Sequence, residues 1–175
     1  MAPTGRVDAG ARACLSLLRT RPERPLVTVD ADLPQVSAVE IRVRYAETDQ
    51  MRVAYHAHYL VWCEVARTEH MRHLGVRYRD LEETAGIKLA VVEAFVRYRA
   101  AARYDDVLTV QCWLRDVGRR QIVFGYAIDR PADARSIAVA QTALVALNSA
   151  HTPTALPPTV LSRLRTVADP IRMPF

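Results

Sequence analysis

The chain has 175 residues, half of them apolar and 25% charged. That suits one globular domain with a sizeable core and excludes two full catalytic domains closing on a cleft. Twenty-four basic residues against 19 acidic ones leave a net +5, a scattered excess without the interleaved aromatics of a nucleic-acid module, and no stretch approaches the ~20 apolar residues of a membrane helix.

Residues 1–36 read as a loosely ordered N-terminal extension, punctuated by Pro3, Pro22, Pro25 and Pro34, with room for a short amphipathic helix near Ala11–Arg19. The apolar run Ala11–Leu18 is too short for a secretory signal, and Asp8, Glu23, Asp30 and Asp32 argue against a transit peptide. The expected compartment is the cytoplasm. The main domain is expected over 37–168, with 169–175 as a tail.

From Val39 the pattern sharpens. Val39, Ile41, Val43 and Tyr45 alternate with Glu40, Arg42 and Arg44, which predicts a half-buried strand, and Glu47–Ala54 reads as a loop. His58–Leu74 predicts a helix of about four to five turns. On it Tyr59, Trp62, Cys63, Ala66, His70 and His73 recur at helical steps. Leu60, Val61 and Val65 widen the apolar face, so the N-terminal half is expected to be buried nearly all round, with Arg67, Glu69 and Arg72 on the wetter side. Gly75 stands where a glycine ends a helix, and Arg79–Thr84 adds a single turn closed by Gly86. Four strand signals follow. Val92–Tyr98, Leu108–Leu114 and Ile122–Ile128 alternate, whereas Ile137–Leu147 is apolar on both faces and reads as a central or doubly covered strand. Asp116–Gly118 and Pro131–Asp133 have hairpin length, and a last helical turn is expected at Val160–Arg165. The order is β-α-β-β-β-β. It predicts an α+β fold, a curled antiparallel sheet of about five strands wrapped around one long helix.

The densest polar cluster, Glu47 to Tyr59, joins the first strand to the helix. A helix start offers unpaired N–H groups and the positive end of the dipole, which can hold a carbonyl oxygen as it gains negative charge. Asp49 is then placed to attack that carbonyl or to deprotonate a water. The plainer alternative is that Asp49 caps the loop and His56 is a polar residue at the helix start.

Three stretches resemble one family: Val43–Asp49 followed by Tyr55–Tyr59, Glu64–Glu69 on the helix, and Val96–Asp106 ahead of the third strand. In that order they resemble the hotdog-fold acyl-CoA thioesterases of the 4-hydroxybenzoyl-CoA thioesterase type, over about residues 39–150. The resemblance implies hydrolysis of a small acyl- or aroyl-CoA thioester, with Asp49 as nucleophile or general base and with Tyr55 and His56 at the helix start facing the thioester through a backbone N–H or a side chain. Tyr59, Arg52 and Trp62 are the implied substrate-binding residues. Tyr55, Tyr59, Trp62, Val91 and Val92 either line an acyl tunnel or fill core. Glu64 and Arg67 match the family's helix pattern, structural or catalytic. Arg52 departs from the family, which usually has glycine there; the departure bears on efficiency and substrate choice more than on the fold. No cofactor is implied, since CoA is part of the substrate, and the donor is acyl-CoA or an acyl carrier protein. A homodimer or homotetramer is implied, with a pocket shared between protomers.

Competing chemistry is thinner. Asp49, His56, His58, His70 and His73 lack metal-ligand spacing, so no metal is expected. Cys14, Cys63 and Cys112 show no C-x-x-C pair and read as packing thiols. Arg97, Arg99, Arg103, Arg119 and Arg120 form either a cationic rim for CoA phosphates or solvated strand edges. A non-hydrolytic acyl-thioester binder on the same fold is the alternative function.

Overall fold

The computed structural model describes residues 36–170. The expected extension, with Cys14 and the Ala11–Arg19 helix, lies outside them, apart from Val36, which opens the first strand. The end of the tail lies outside as well.

The elements are β1 (Val36–Arg42), α1 (His58–His73), α2 (Tyr78–Ala85), β2 (Lys88–Tyr98), β3 (Val107–Val117), β4 (Gln121–Arg130), β5 (Arg135–Leu147) and a short α3 (Pro158–Leu161). The five strands form one antiparallel sheet in the order β1-β3-β4-β5-β2. This is the hotdog architecture, with α1 packed on β1 and β3. Chain order is kept only from β3 to β5; β2 crosses to the far edge and pairs with β5, Tyr98 facing Ala138. β5 lies between β4 and β2 and is buried on both faces through its middle, as its doubly apolar pattern requires.

β1 starts and ends three residues before the predicted alternation. Val43 still points into the core, but the chain then folds into a single 3-10 turn at Tyr45–Glu47, which leaves Tyr45 exposed. α2 has two turns rather than one. Gly86 closes it at φ +62°, a left-handed conformation that glycine takes without steric cost.

The inner stripe of α1 is Tyr59, Trp62, Cys63, Ala66, Arg67, His70 and Met71, all buried against the sheet. Two expectations fail here for one reason. The sheet covers a single side of the helix, and 3.6-residue periodicity sends positions 60, 61 and 65 to the other. Leu60, Val61 and Val65 are 36%, 46% and 40% exposed. Arg67 shares the inner stripe and is buried, its charge partnered by Glu64 at 3.7 Å.

The outer face carries a smaller cluster. Trp113 on β3 faces Gly125 on β4, with Ala127 and Val139 beside it. The C-terminal segment crosses this face. The Val167 N–H donates to the Leu114 carbonyl, and the Trp113 indole N–H donates to Asp169 at 2.8 Å.

Candidate active site

Three segments meet at the start of α1. The first is a hairpin. Thr48 bridges to Ala54, the Asp49 N–H donates to the Val53 carbonyl at 2.9 Å, and the Arg52 N–H closes back on the Asp49 carbonyl at 2.9 Å. A three-residue hairpin loop of this kind requires a left-handed residue at its last position, and that residue is Arg52, at φ +60°. The Asp49 carboxylate accepts from the Met51 N–H at 2.8 Å through Oδ1, which fixes its orientation within the loop. Asp49 is half-buried.

The second segment is the base of the loop. Glu47 is 2% exposed. Its carboxylate accepts from the Arg44 N–H and guanidinium, each at 2.8 Å, and from the Trp62 indole N–H at 3.2 Å. Burial by itself would raise its pKa; the bonds from Arg44 and Trp62 and the Arg44 charge outweigh that and hold it below the usual carboxylate range. Glu47 ties the loop to the helix.

The third segment is the end of β2 and the loop after it. The Ala54 N–H donates to the Ala102 carbonyl at 2.8 Å, and the Tyr98 hydroxyl donates to the His56 carbonyl at 2.9 Å. Tyr59 lies between them, its ring 4.7 Å from Trp62 and 4.9 Å from Tyr98.

The N–H groups at the helix start divide unevenly. Tyr55 donates to the Glu47 carbonyl at 2.8 Å and His58 to the Tyr55 carbonyl at 3.0 Å. Among the described residues, those of His56, Ala57 and Tyr59 meet no acceptor, and Ala57, the capping position, has no side chain to supply one. The Tyr55 N–H is thus already bonded within the chain, which leaves its exposed side chain free. Free donors begin at His56, and the exposed Tyr55 ring packs beside the His56 ring at 4.2 Å.

The structure thus brings Asp49, Arg52, Tyr55, His56 and Tyr59 to one end of the molecule. Tyr59 and Trp62 are core residues in the single chain; Trp62 is 2% exposed and committed to Glu47. Tyr98 and the Ala102 loop escaped the sequence reading of the site, although both lie in the third resembling stretch. Only their hydrogen bonds to the helix start reveal the role. The five arginines weighed as a rim do not gather. Arg97 lies opposite Val139, whereas the Arg120 carbonyl accepts from Ala146 at the other end of the sheet. His70 and His73 diverge, the first buried against Ser37 and the second exposed with its ring on the Glu69 carbonyl. Burial pushes the Cys63 thiol up to about 12 and Cys112 well above its ordinary value, so neither supplies a thiolate near neutral pH.

Residues 43–164 match the Thioesterase-like superfamily. The chain belongs to that family. Among curated relatives, a putative acyl-CoA thioesterase of Bacillus subtilis is 44% identical over 58% of this chain and 73% of its own length. A solved DHNA-CoA thioesterase from Staphylococcus aureus is 32% identical, covering 69% of this chain and 80% of its own, with a TM-score of 0.66. A 4-hydroxybenzoyl CoA thioesterase mutant, solved with 4-hydroxybenzoyl CoA, shares the fold at 17% identity and a TM-score of 0.69 over 75% of this chain and 99% of its own. The chain is a hotdog-fold thioesterase, and its hairpin, helix start and β2 end fall within the matched region.

Proposed function

We propose that this thioesterase hydrolyses a small acyl- or aroyl-CoA thioester to the free acid and CoA, using Asp49. The observation that carries the reading is the half-buried Asp49 carboxylate, held in a hairpin that leads into a helix start with unpaired N–H groups at His56, Ala57 and Tyr59. The thioester oxygen accepts from these donors, and they strengthen their hold as charge develops on it. Asp49 then attacks the carbonyl carbon; the C–S bond breaks, CoA leaves as thiolate, and water hydrolyses the mixed anhydride. In the alternative route Asp49 takes a proton from a water that attacks the same carbon. CoA thiolate is a good leaving group, so neither route needs a strong acid.

The site needs a second wall. Met51 and Tyr55 stand exposed beside it, as do Tyr45 and Tyr104 nearby, and two clefts lie elsewhere. One, about 480 Å³, lies between the β3–β4 turn and Leu161–Thr166; the other, about 310 Å³, lies between α1 and α2. A second protomer paired along the β2 edge supplies that wall.

A panel of acyl- and aroyl-CoA thioesters with free-thiol detection tests the reading. The wild type is expected to release thiol, and Asp49→Ala to lose at least about 100-fold in rate while keeping its circular dichroism. Thiol release from no substrate, or full rate in Asp49→Ala, overturns it; binding without release indicates a non-hydrolytic acyl-thioester protein. In single turnover in labelled water, isotope in the Asp49 carboxylate identifies attack by Asp49 with water opening the anhydride at the aspartyl carbonyl.

A further inference from the structure

We infer that Arg52 is a specificity residue selecting thioesters whose acyl group carries its own negative charge. This rests on the proposed hydrolysis at Asp49 and names the substrate class of that site. The hairpin demands a left-handed residue at 52, the conformation glycine accepts and a long side chain resists. The hairpin's backbone bonds hold the turn, but no side-chain contact described in the fold favours arginine there. The Arg52 guanidinium makes no ion pair and no hydrogen bond among the described residues, whereas Arg42 pairs with Asp105 at 3.0 Å and Arg44 with Glu47 at 2.8 Å. Asp105 also has positive φ, but its side chain is spent on Arg42, and the strained Ala134 and His151 sit in turns after β4 and β5, away from the helix start. Arg52 is the strained residue that leaves an unspent, solvated cation beside the candidate catalytic carboxylate.

Position decides which anion it meets. Residues 49 and 52 span one tight turn, so their Cα atoms lie within about 7 Å. An arginine there reaches groups near the reacting carbonyl, whereas the CoA phosphates stand a whole pantetheine arm beyond the sulfur. A carboxylate on the acyl chain accepts two N–H bonds from a guanidinium fork. A neutral acyl group leaves the cation unanswered.

The test compares matched pairs, glutaryl- against valeryl-CoA and 4-carboxybenzoyl- against 4-methylbenzoyl-CoA, in wild type, Arg52→Gly, Arg52→Gln and Arg52→Lys. The wild type is expected to favour the carboxylated member of at least one pair. That ratio of kcat/KM is expected to fall about tenfold or more in the glycine and glutamine variants and to be partly kept by lysine. The same fall is expected with acyl-pantetheines, which lack the CoA phosphates. An unchanged ratio overturns the inference. So does a loss shared by charged and neutral acyl groups that disappears with pantetheine substrates, because the arginine then serves the phosphates. If the wild type cleaves none of these thioesters, the proposed hydrolysis fails by itself. Calorimetry with non-cleavable thioether analogues of the same pairs then decides the inference, equal affinities overturning it.

Discussion

Two buried side chains show how single residues set the tolerance of this fold to acid. Glu47 is held below the usual carboxylate range by Arg44 and Trp62, so its contribution is present above the pKa of the unfolded carboxyl and is lost only as pH falls through its folded value. His70 acts at milder pH. It is buried on α1 with Nδ1 3.0 Å from the Ser37 hydroxyl and its ring edge-on to Phe124. Burial first, and the nearby His73 second, pull it down to about 4 from 6.5. Between those values the unfolded chain takes up a proton that the folded one refuses. Stability from this residue is therefore full above about 6.5 and falls as pH drops toward 4. At about 1.4 kcal/mol per unit, lowering the pH from 7 to 5 is expected to cost about 2 kcal/mol. Urea unfolding at the two values checks this. His70→Gln, which does not titrate, should shrink the difference by about that amount; an undiminished difference assigns the acid sensitivity to other groups.

At the scale of elements, legibility followed periodicity. β3 and β4 alternate because one face meets α1 and the other meets solvent or the C-terminal segment, and α1 carries a plain 3.6-residue stripe. What the sequence hid depends on partners distant in the chain. Arg67 is a different case: it stands four residues after Cys63 and three before His70, on the stripe itself, and only its charge made it read as a surface residue. The crossing of β2 to the far edge leaves no local mark: Val92–Tyr98 alternates like the inner strands, yet Val92 and Ala94 are exposed at the edge. At the site, the clustering of Glu47–Tyr59 was visible, but the commitment of the Tyr55 N–H and the Tyr98 bond to His56 were not, since neither follows from spacing. Gly125 is another such case. It reads as a polar-side gap in an alternating strand, yet it makes room for Trp113: a Cβ there would lie 2.5 Å from the indole ring. The ring is held by the sheet, by Val167 and by Asp169, so it cannot yield cheaply. Gly125→Ala is expected to destabilise by about 1–3 kcal/mol in chemical denaturation. Gly118→Ala is the control. Its Cβ would meet only the Gln121 carbonyl at 3.5 Å, and it should change little.

At the scale of the whole molecule, the described residues leave one long edge unpaired. β1 has seven residues, whereas β2 offers eleven along the opposite edge. Long exposed edges attract another strand unless charge, bulges or cover prevent it. β2 has an irregularity at Val92, between Val91 and Glu93, yet Val91 and Val92 are left largely in water there. Tyr98 continues the same strand to the helix start, so whatever pairs with β2 also approaches Asp49. Pairing two β2 edges makes a continuous sheet with a twofold axis and places each candidate site against the partner. The proposed dimer and the proposed activity therefore stand on one surface. Light scattering is expected to give about twice the 19.6 kDa chain mass, or a larger even multiple. Val92→Lys puts a charge on that edge. It should shift the mass toward the monomer and reduce thiol release in parallel, while circular dichroism keeps its wild-type form. A wild-type monomer with full turnover at assay concentration would show that one chain closes its own site, and the second wall would then have to come from within the chain.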